Sequence, residues 1–550
     1  MALRNHTSAA VHWYMQELSS RVVAESGIPS DRHHLGKLIL QGLRDDPDFI
    51  LSIDGATGEK ENFRSTLNRS VQCATAFRKL GIKHGDVILL MAPNHIHLTI
   101  PMYAAFYIGA GVAGIDMTLG VNELHDTFKF NQPKIIFCQK EREDDVELAL
   151  EGLQFNSKIV TFDEGNKNIN FSDFLNKYGG DGSVDDFKAS DFDPSETILL
   201  LIATSGTTGL PKSAAVTHKN FAVSVPHMWT MYDKFPTPTP LTIIFSPIQW
   251  YSALFQFVFS PIIRHTRLQS SLPMTQEHAY DIINKYKPRY AMASPNMLTS
   301  FFKAGERDKC DFICFEILLA GGSAVLSGLL EDISVASPNT QVNVIYGMSE
   351  ISGIAFNFDS TLPTSLGRAL PNTNYKLVNP ETLEEVTEPN QAGELWLKGP
   401  GVFKGYYNNP EVTSQVMVEG GWIRTGDILR RDEHFNFYFV ERLKLLLKYR
   451  NHQISPLEIE TVISQHPGVF EVAVTGVPHK EHGDLPIAFV VPHKEYKISE
   501  QEIKDIVKDG LTDSKQLRGG VVFLETMPLT STSKVNRQKL AAIAKSMRVD

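Results

Sequence analysis

Short apolar, β-prone runs alternate with amphipathic stretches along most of this chain. That alternation constrains the fold more than any other feature. The runs "DVILLMA" (86–92), "KIIFCQ" (134–139), "TILLLIA" (197–203), "LTIIFSPI" (241–248) and "RYAMAS" (289–294) have the length of strands. Between them lie "NRSVQCATAFRKLG" and "EHAYDIINKYK", whose apolar residues recur at helical spacing. The alternation predicts layered α/β units with mostly parallel sheets. "GELWLKGPGVFKGYYNNP" breaks the pattern with Gly-punctuated strands, so a smaller β-rich subdomain is expected over about 360–440.

The end of the chain has its own rhythm. "SPLEIETVISQHP" reads as a helix with Pro456 near its start, "VFEVAVTGVP" and "LPIAFVVP" as strands, "SEQEIKDIVKDGL" as a helix and "GGVVFLE" as a strand. This is a compact α+β module, joined to the rest near "VERLKLLLKYRNHQ". The expected fold class is α/β: a large N-terminal domain (1–441) of layered α/β subdomains plus a β-rich subdomain, and a small α+β C-terminal domain (442–550). At 550 residues the chain exceeds one core and fits two to four domains.

Composition excludes several classes. A net charge of −10 argues against nucleic acid or an anionic membrane as the main partner. The four cysteines, Cys73, Cys138, Cys310 and Cys314, show no CxxC spacing, which fits free thiols in a reducing compartment rather than a disulfide framework or a structural zinc site. The uncharged run "LTIPMYAAFYIGAGVAGI" (98–115) has the length of a membrane span. Pro101, three glycines and the lack of a basic flank predict instead a buried helix followed by a strand. The acidic run "EREDDVE" (141–147) reads as a solvated helix start. The first residues lack the apolar core of a signal peptide, and the last, "SMRVD", are not a Ser-Lys-Leu address. The expected compartment is the cytoplasm rather than the peroxisome.

The stretch "TSGTTGLPKSAAVTH" (204–218) carries the most chemistry. It follows the strand "TILLLIA" and combines small residues, hydroxyls and Lys212. Backbone N–H groups, O–H donors and one positive charge make a polyphosphate cradle. It is not a Walker loop, which needs G-x-x-x-x-G-K-[ST] opening into a helix. Here Gly206, Gly209 and Lys212 are differently spaced, and "SAAVTH" reads as a return strand, with a helix starting only near Thr217.

Four further stretches follow in order: "YGMSE" (346–350), "GWIRTGD" (421–427), "ERLKLLLKYRNHQISPLEIE" (441–460) and "PLTSTSKVNRQKL" (528–540). With the loop, this set resembles the adenylate-forming superfamily of acyl-CoA synthetases, 4-coumarate–CoA ligases and beetle luciferases. "LRGGVVF" and "HQISPLEIE" resemble most the insect luciferase and luciferase-like branch. The resemblance implies that a carboxylate and Mg-ATP give acyl-AMP and pyrophosphate. It implies that Thr204, Ser205, Gly206, Thr207, Thr208, Gly209 and Lys212 hold the β- and γ-phosphates, and that Glu350 binds Mg²⁺. Gly321, Gly322, Ser323, Tyr346, Gly347, Met348 and Ser349 then frame the adenine end of ATP. Asp427 accepts the ribose hydroxyls beside Arg442, and Lys534 reaches the bridging and carboxylate oxygens. The family's C-terminal domain swings about a hinge. One orientation offers the distal lysine, here Lys534, and the other offers the position of Lys448 for the second half-reaction.

The sequence departs from the family at several of these places. Ser213 follows the loop lysine where Gly is usual, Asn451 replaces a Gly near the CoA path, and Ser533 precedes Lys534. Gln249 and Trp250 stand where a His is common, on what reads as a strand out of "LTIIFSPI". Trp250 and Ser252 are the expected acyl-pocket residues, and the indole favours a compact acid. The resemblance implies a monomer acting on a small-molecule carboxylic acid with ATP, Mg²⁺ and CoA. The alternative is a luciferase, which oxidises its acyl-adenylate with O₂ and emits light. A nucleotide-binding protein of weak turnover stands behind both, disfavoured by the intact Lys212, Glu350, Asp427, Arg442 and Lys534.

Overall fold

The computed structural model describes residues 2–165, 167–180, 183–204, 212–224, 226, 241–302, 307–357, 361–362, 364–450, 452–494, 496–530 and 534–546. Two large sheets dominate. The first runs, in spatial order, Gly405–Tyr406, Lys212–Thr217, Ile198–Thr204, Gly111–Gly114, Val87–Met91, Ile135–Cys138, Lys158–Thr161 and Ile169–Asn170. Its pairs are parallel except at Lys212–Thr217, which runs antiparallel to both neighbours. The second runs Gln341–Ile345, Ile317–Gly321, Tyr290–Ala293, Thr242–Ile244, Arg267–Gln269, Ile50–Asp54 and Lys60–Asn62. It is parallel apart from that last pair. The parallel layering expected from the alternating runs is therefore present.

The helices Thr99–Ile108 and Tyr251–Ile263 belong to the main apolar core. Every residue of Thr99–Ile108 is buried, which is why the segment carries no polar stripe. Gly109, at φ 76°, closes that helix in the left-handed conformation, and Gly111–Gly114 continues as a strand. The apolar run is thus the expected helix–strand pair. No helix among the described residues is long and apolar enough to cross a membrane.

A smaller antiparallel sheet follows: Asn374–Val378, Ala392–Lys398, Trp422–Arg431 and Met417–Val418, with Phe437–Arg442 paired to the long strand. Beyond it, Leu447–Tyr449, His452–Ile454, Val469–His479, Gly483–Pro492 and Gly520–Phe523 form one sheet. Ile459, Ile463, Ile487, Val490, Ile503, Val507 and Leu540 build an apolar cluster of its own beside that sheet. Leu326, from the turn after Gly321, packs against this second cluster. The helix Pro456–Ile463 starts on an N-cap Ser455 and Pro456, as the sequence indicates.

Two local expectations are corrected. Trp250 does not sit on a strand. The strand ends at Ile244, Pro247 cannot extend a ladder, and a turn closed by Trp250 N donating to Pro247 O (3.1 Å) leads into Tyr251–Ile263, with Trp250 as its N-cap. The acidic run is not wholly solvated either. Glu143 is buried and accepts from the Asn168 backbone N–H (2.6 Å) and side-chain amide (2.8 Å).

Candidate active site

The site is built first on the hairpin. Thr204 and Lys212 face each other at the ends of its two strands, and Thr204 Oγ1 donates to Lys212 O at 3.2 Å. Ser205, Gly206, Thr207, Thr208 and Gly209 lie outside the described residues. Ser213 is an ordinary buried strand residue without positive φ, so its side chain is accommodated there. On the far edge, Gly405–Tyr406 pairs with Ala215 and Ala214. This brings the Tyr406 ring within 5.7 Å of Lys212 Nζ and lets Tyr406 Oη donate to Glu350 Oε1 at 2.7 Å. Glu350 is buried in the turn Ser349–Ile351 and is pinned by Phe403 N donating to its carbonyl (2.9 Å). Burial and the Glu350 carboxylate push the Tyr406 phenol well above its ordinary range.

A second wall comes from the carboxyl ends of the second sheet, where parallel sheets offer ligand sites. Gly321 ends one strand and Tyr346 follows the next. Gly322, Ser323 and Gly347 are exposed, and Met348 and Ser349 are half-buried. A Cβ on Gly347 would meet Gly353 O at 2.3 Å, so only glycine lets these two backbones approach.

Asp427 sits between the two. It lies on an irregularity of the strand Trp422–Arg431: Glu394 pairs with Ile428 and Trp396 with Arg424, so four residue steps face two. Gly426, at φ 70°, turns that bulge. Asp427 Oδ2 accepts from Tyr346 Oη at 2.7 Å. Oδ1 lies 3.1 Å from Arg442 Nε but out of hydrogen-bond alignment, and it is buried with no hydrogen-bond donor. Burial raises the Asp427 carboxyl above its ordinary value, against the pull of Arg442, Tyr346 and Lys534. A buried carboxylate oxygen with no donor suits a ligand hydroxyl.

Lys534 closes the arrangement. Around it Thr530 N donates to Lys534 O (2.7 Å), Lys534 N donates to Thr530 Oγ1 (3.2 Å), and Leu529 bridges Val535. Arg537, paired with Glu460 at 2.9 Å and donating to Val474 O at 2.6 Å, ties the chain just after Lys534 to the C-terminal sheet. Burial lowers the Lys534 ammonium below its ordinary value, as does Arg442, while Glu350 and Asp427 oppose the shift. Lys534, Arg442, Glu350 and Asp427 therefore share one electrostatic neighbourhood. Lys448 does not join them: it is exposed on the strand Leu447–Tyr449, its N–H donating to Asp484 Oδ2 at 3.0 Å. Asn451 and Ser533 lie outside the described residues.

The helix Tyr251–Ile263 is held to the Glu350 turn by Tyr251 Oη donating to Ser352 O at 2.8 Å. At its start, Ser252 Oγ donates to Ser246 Oγ (2.6 Å), and Gln256 Nε2 donates to Ser252 O (3.3 Å). Trp250 Nε1 and Gln256 Oε1 are buried without a hydrogen-bond partner.

Comparison with known proteins places the chain in a family. Residues 41–407 match the family model of AMP-binding enzymes, and residues 458–534 match that of the AMP-binding enzyme C-terminal domain. The chain belongs to the adenylate-forming AMP-binding enzymes. This adenylate-forming chain is 30% identical to a luciferin 4-monooxygenase of Photuris pensylvanica over 88% of its length and 90% of the relative's. It is 28% identical to a probable CoA ligase of Humulus lupulus, covering 90% of each. Its fold is that of ATP-bound MatB from Rhodopseudomonas palustris, with a TM-score of 0.82 at 22% identity over 93% of this chain and 99% of that one. It also resembles the luciferase-like enzyme of the nonluminescent mealworm Zophobas morio, with a TM-score of 0.67 at 27% identity over 74% and 95%.

For this adenylate-forming enzyme, the sequence motifs named most of the residues that the fold brings together. Tyr406 and Glu394 escaped them. Both lie in "GELWLKGPGVFKGYYNNP", read only as strands, and their partners Glu350 and Gly426 are remote in sequence.

Proposed function

We propose that the protein joins a carboxylic acid to the α-phosphate of ATP, releases pyrophosphate, and passes the acyl group to CoA. The observation that carries this reading is the cluster of Asp427, Tyr346, Arg442, Glu350 and Tyr406, with Lys534, from the side of the second apolar core, within electrostatic reach of it. The residue division into 1–441 and 442–550 puts the domain boundary beside Arg442.

The acid's carboxylate is a weak electrophile until it is joined to phosphate. Attack on the α-phosphate builds negative charge on the reacting oxygens, and positioning plus fixed positive charge supply most of what catalysis needs. Lys534 supplies that charge at the carboxylate and bridging oxygens. Lys212 and the hydroxyl loop hold the outgoing pyrophosphate. The adenine lies among Gly321, Gly322, Ser323, Tyr346, Gly347, Met348 and Ser349, and Asp427 Oδ1 accepts a ribose hydroxyl. Glu350, a buried carboxylate beside Lys212 and Tyr406, would hold Mg²⁺ as a hard oxygen ligand. When bound, the ion neutralises phosphate charge. The second half-reaction uses the orientation in which Lys448 replaces Lys534. Trp250, Ser252 and the unpaired Gln256 carbonyl oxygen favour a compact acid that carries hydrogen-bonding groups. The four free thiols support a reducing compartment such as the cytoplasm.

A second reading, oxidation of the adenylate by O₂ with light emission, draws support from the 30% identity to a luciferin 4-monooxygenase. ATP–pyrophosphate exchange over a panel of carboxylic acids, with CoA added or omitted and light recorded, decides between them. Acid-dependent exchange with a thioester product supports the ligase. Exchange that yields light and no thioester replaces it with the second reading. No exchange with any acid sinks both.

A further inference from the structure

Glu394 is a carboxylate in the interior with no place in the motif reading. It is 1% exposed and holds four donors. Its Oε2 accepts from Arg424 Nη2 (2.9 Å) and Trp396 Nε1 (3.0 Å), and Arg424 Nε lies within 3.3 Å of both oxygens. The fourth donor is the backbone N–H of Gly426, which reaches Oε1 at 3.2 Å. Gly426 is the turning point of the bulge that carries Asp427. Two hydrogen bonds complete the frame: Thr425 Oγ1 donates to Leu395 O (2.7 Å), and Asp427 N donates to Thr425 Oγ1 (3.1 Å). Behind it, Arg424 stacks over the Trp396 ring at 5.5 Å, while Lys376 lies between Trp396 (4.5 Å) and Trp422 (4.8 Å).

This is more than a plain sheet needs. A bulge left to itself has soft backbone torsions, and a ribose-binding carboxylate displaced by an ångström loses its aligned hydrogen bonds. A Cβ on Gly426 would touch nothing within 4 Å, so crowding does not fix the turn. The Glu394 carboxylate does. We infer that Glu394, braced by Arg424 and Trp396, is a positioning residue that aims Asp427 at the ribose hydroxyls of ATP. The inference rests on the ribose role of Asp427 given above. Glu394 touches no reacting atom and acts only through the 425–427 backbone.

The test reads ribose recognition rather than activity alone. In the wild-type protein, kcat/KM for pyrophosphate exchange with 2′-deoxy-ATP or 3′-deoxy-ATP should fall about tenfold or more below that with ATP, because a hydrogen bond to a charged acceptor is lost. In Glu394→Gln the amide sets an N–H against the donors of Arg424 and Trp396. The bulge shifts, KM for ATP rises, and the hydroxyl penalty shrinks to less than about threefold while kcat at saturating ATP changes less. Arg424→Gln, at a one-third exposed position, should shrink the penalty in the same way if Glu394→Gln does not fold, and Arg424→Lys should restore part of it. A merely structural role would lower the melting temperature and leave the penalty whole. A folded Glu394→Gln or Arg424→Gln enzyme that keeps the full penalty overturns the inference and leaves the ribose role of Asp427 standing. A wild-type enzyme indifferent to both hydroxyls overturns the ribose role and the inference with it.

Discussion

Lys534 and Lys448 belong to the same small module, yet the structure treats them as opposites. Lys534 is drawn into the site, its ammonium sensing Arg442, Glu350 and Asp427. Lys448 is exposed on the strand Leu447–Tyr449, its backbone N–H donating to Asp484 Oδ2. An ammonium costs free energy to bury unless a charge awaits it, and here two carboxylates do. Nothing comparable rewards Lys448 in this arrangement. The proposed two-step reaction therefore calls for a rotation about the join beside Arg442, which would bring Lys448 to the place that Lys534 holds here.

The strongest way to break this comparison is to remove each lysine and measure each half-reaction. Lys534→Ala should cost adenylation about 3 kcal/mol, or ~10²-fold, while the transfer of acyl groups from added acyl-AMP changes little. Lys448→Ala should show the reverse pattern. Single-turnover assays of the two steps provide the measurement. Equal losses in both steps from either variant would dissolve the distinction.

The pH dependence sharpens it. In the proposed reaction, adenylation uses Lys534 protonated and Asp427 ionised. The first group's pKa is lowered from 10.5 and the second's is raised from 3.8, so both limbs of the profile move inward. The sign for the pose follows by linkage. With Lys534 inside, its depressed pKa means that this pose binds fewer protons than one with the lysine in water. The cost of keeping the charge there is full below the depressed value and fades as pH climbs towards 10.5. The alkaline limb of exchange should therefore bend below 10.5 in the wild type, and Lys534→Arg should abolish the bend at a lower plateau. An unchanged limb in that variant assigns it to another group.

The contrast between the two lysines also marks what could be read in advance. The layered sheets were legible because each apolar run is a self-contained strand signal, and the buried helix–strand pair at 98–115 because Gly109 punctuates it. Glu350, Asp427 and Lys534 could be named because short motifs carry them. Their contacts could not. Tyr406 meets Glu350 only because an edge strand joins the hairpin from across the chain, and such pairings leave no local trace. The place of Trp250 is hidden for a related reason. The apolar run "LTIIFSPI" continues past Ile244, but Pro247 stops the ladder and the chain turns into a helix.

In the proposed two-pose scheme, residues on the N-terminal wall serve both halves and should not discriminate between them. Trp250→Ala is expected to shift the acid preference about tenfold towards longer acids, equally in exchange and in thioester formation, with KM for ATP nearly unchanged. One extra or missing group in a pocket moves selectivity by that order. An acid panel run on both steps measures it, and a shift confined to one step would place Trp250 in a pose-specific role.

Tyr406→Phe should have the smallest effect, and it tests whether Glu350 belongs to the adenylation side alone. The phenol donates to Glu350 Oε1 at 2.7 Å and its ring lies beside Lys212 Nζ. Phenylalanine keeps the ring and removes only the donor. A hydrogen bond to a charged group is worth about 1.5–3 kcal/mol when nothing replaces it, but Mg²⁺ and water can take up the freed oxygen, so the loss should stay below about tenfold. Its form is more telling than its size. Adenylation should require more Mg²⁺ for half-maximal rate, because Glu350 is no longer held in one rotamer. Transfer from added acyl-AMP, which has no pyrophosphate to neutralise, should be untouched. A titration of Mg²⁺ in each half-reaction separates the outcomes. An equal change in both would mean that Glu350 steadies the wall shared by the two poses rather than the metal used by one.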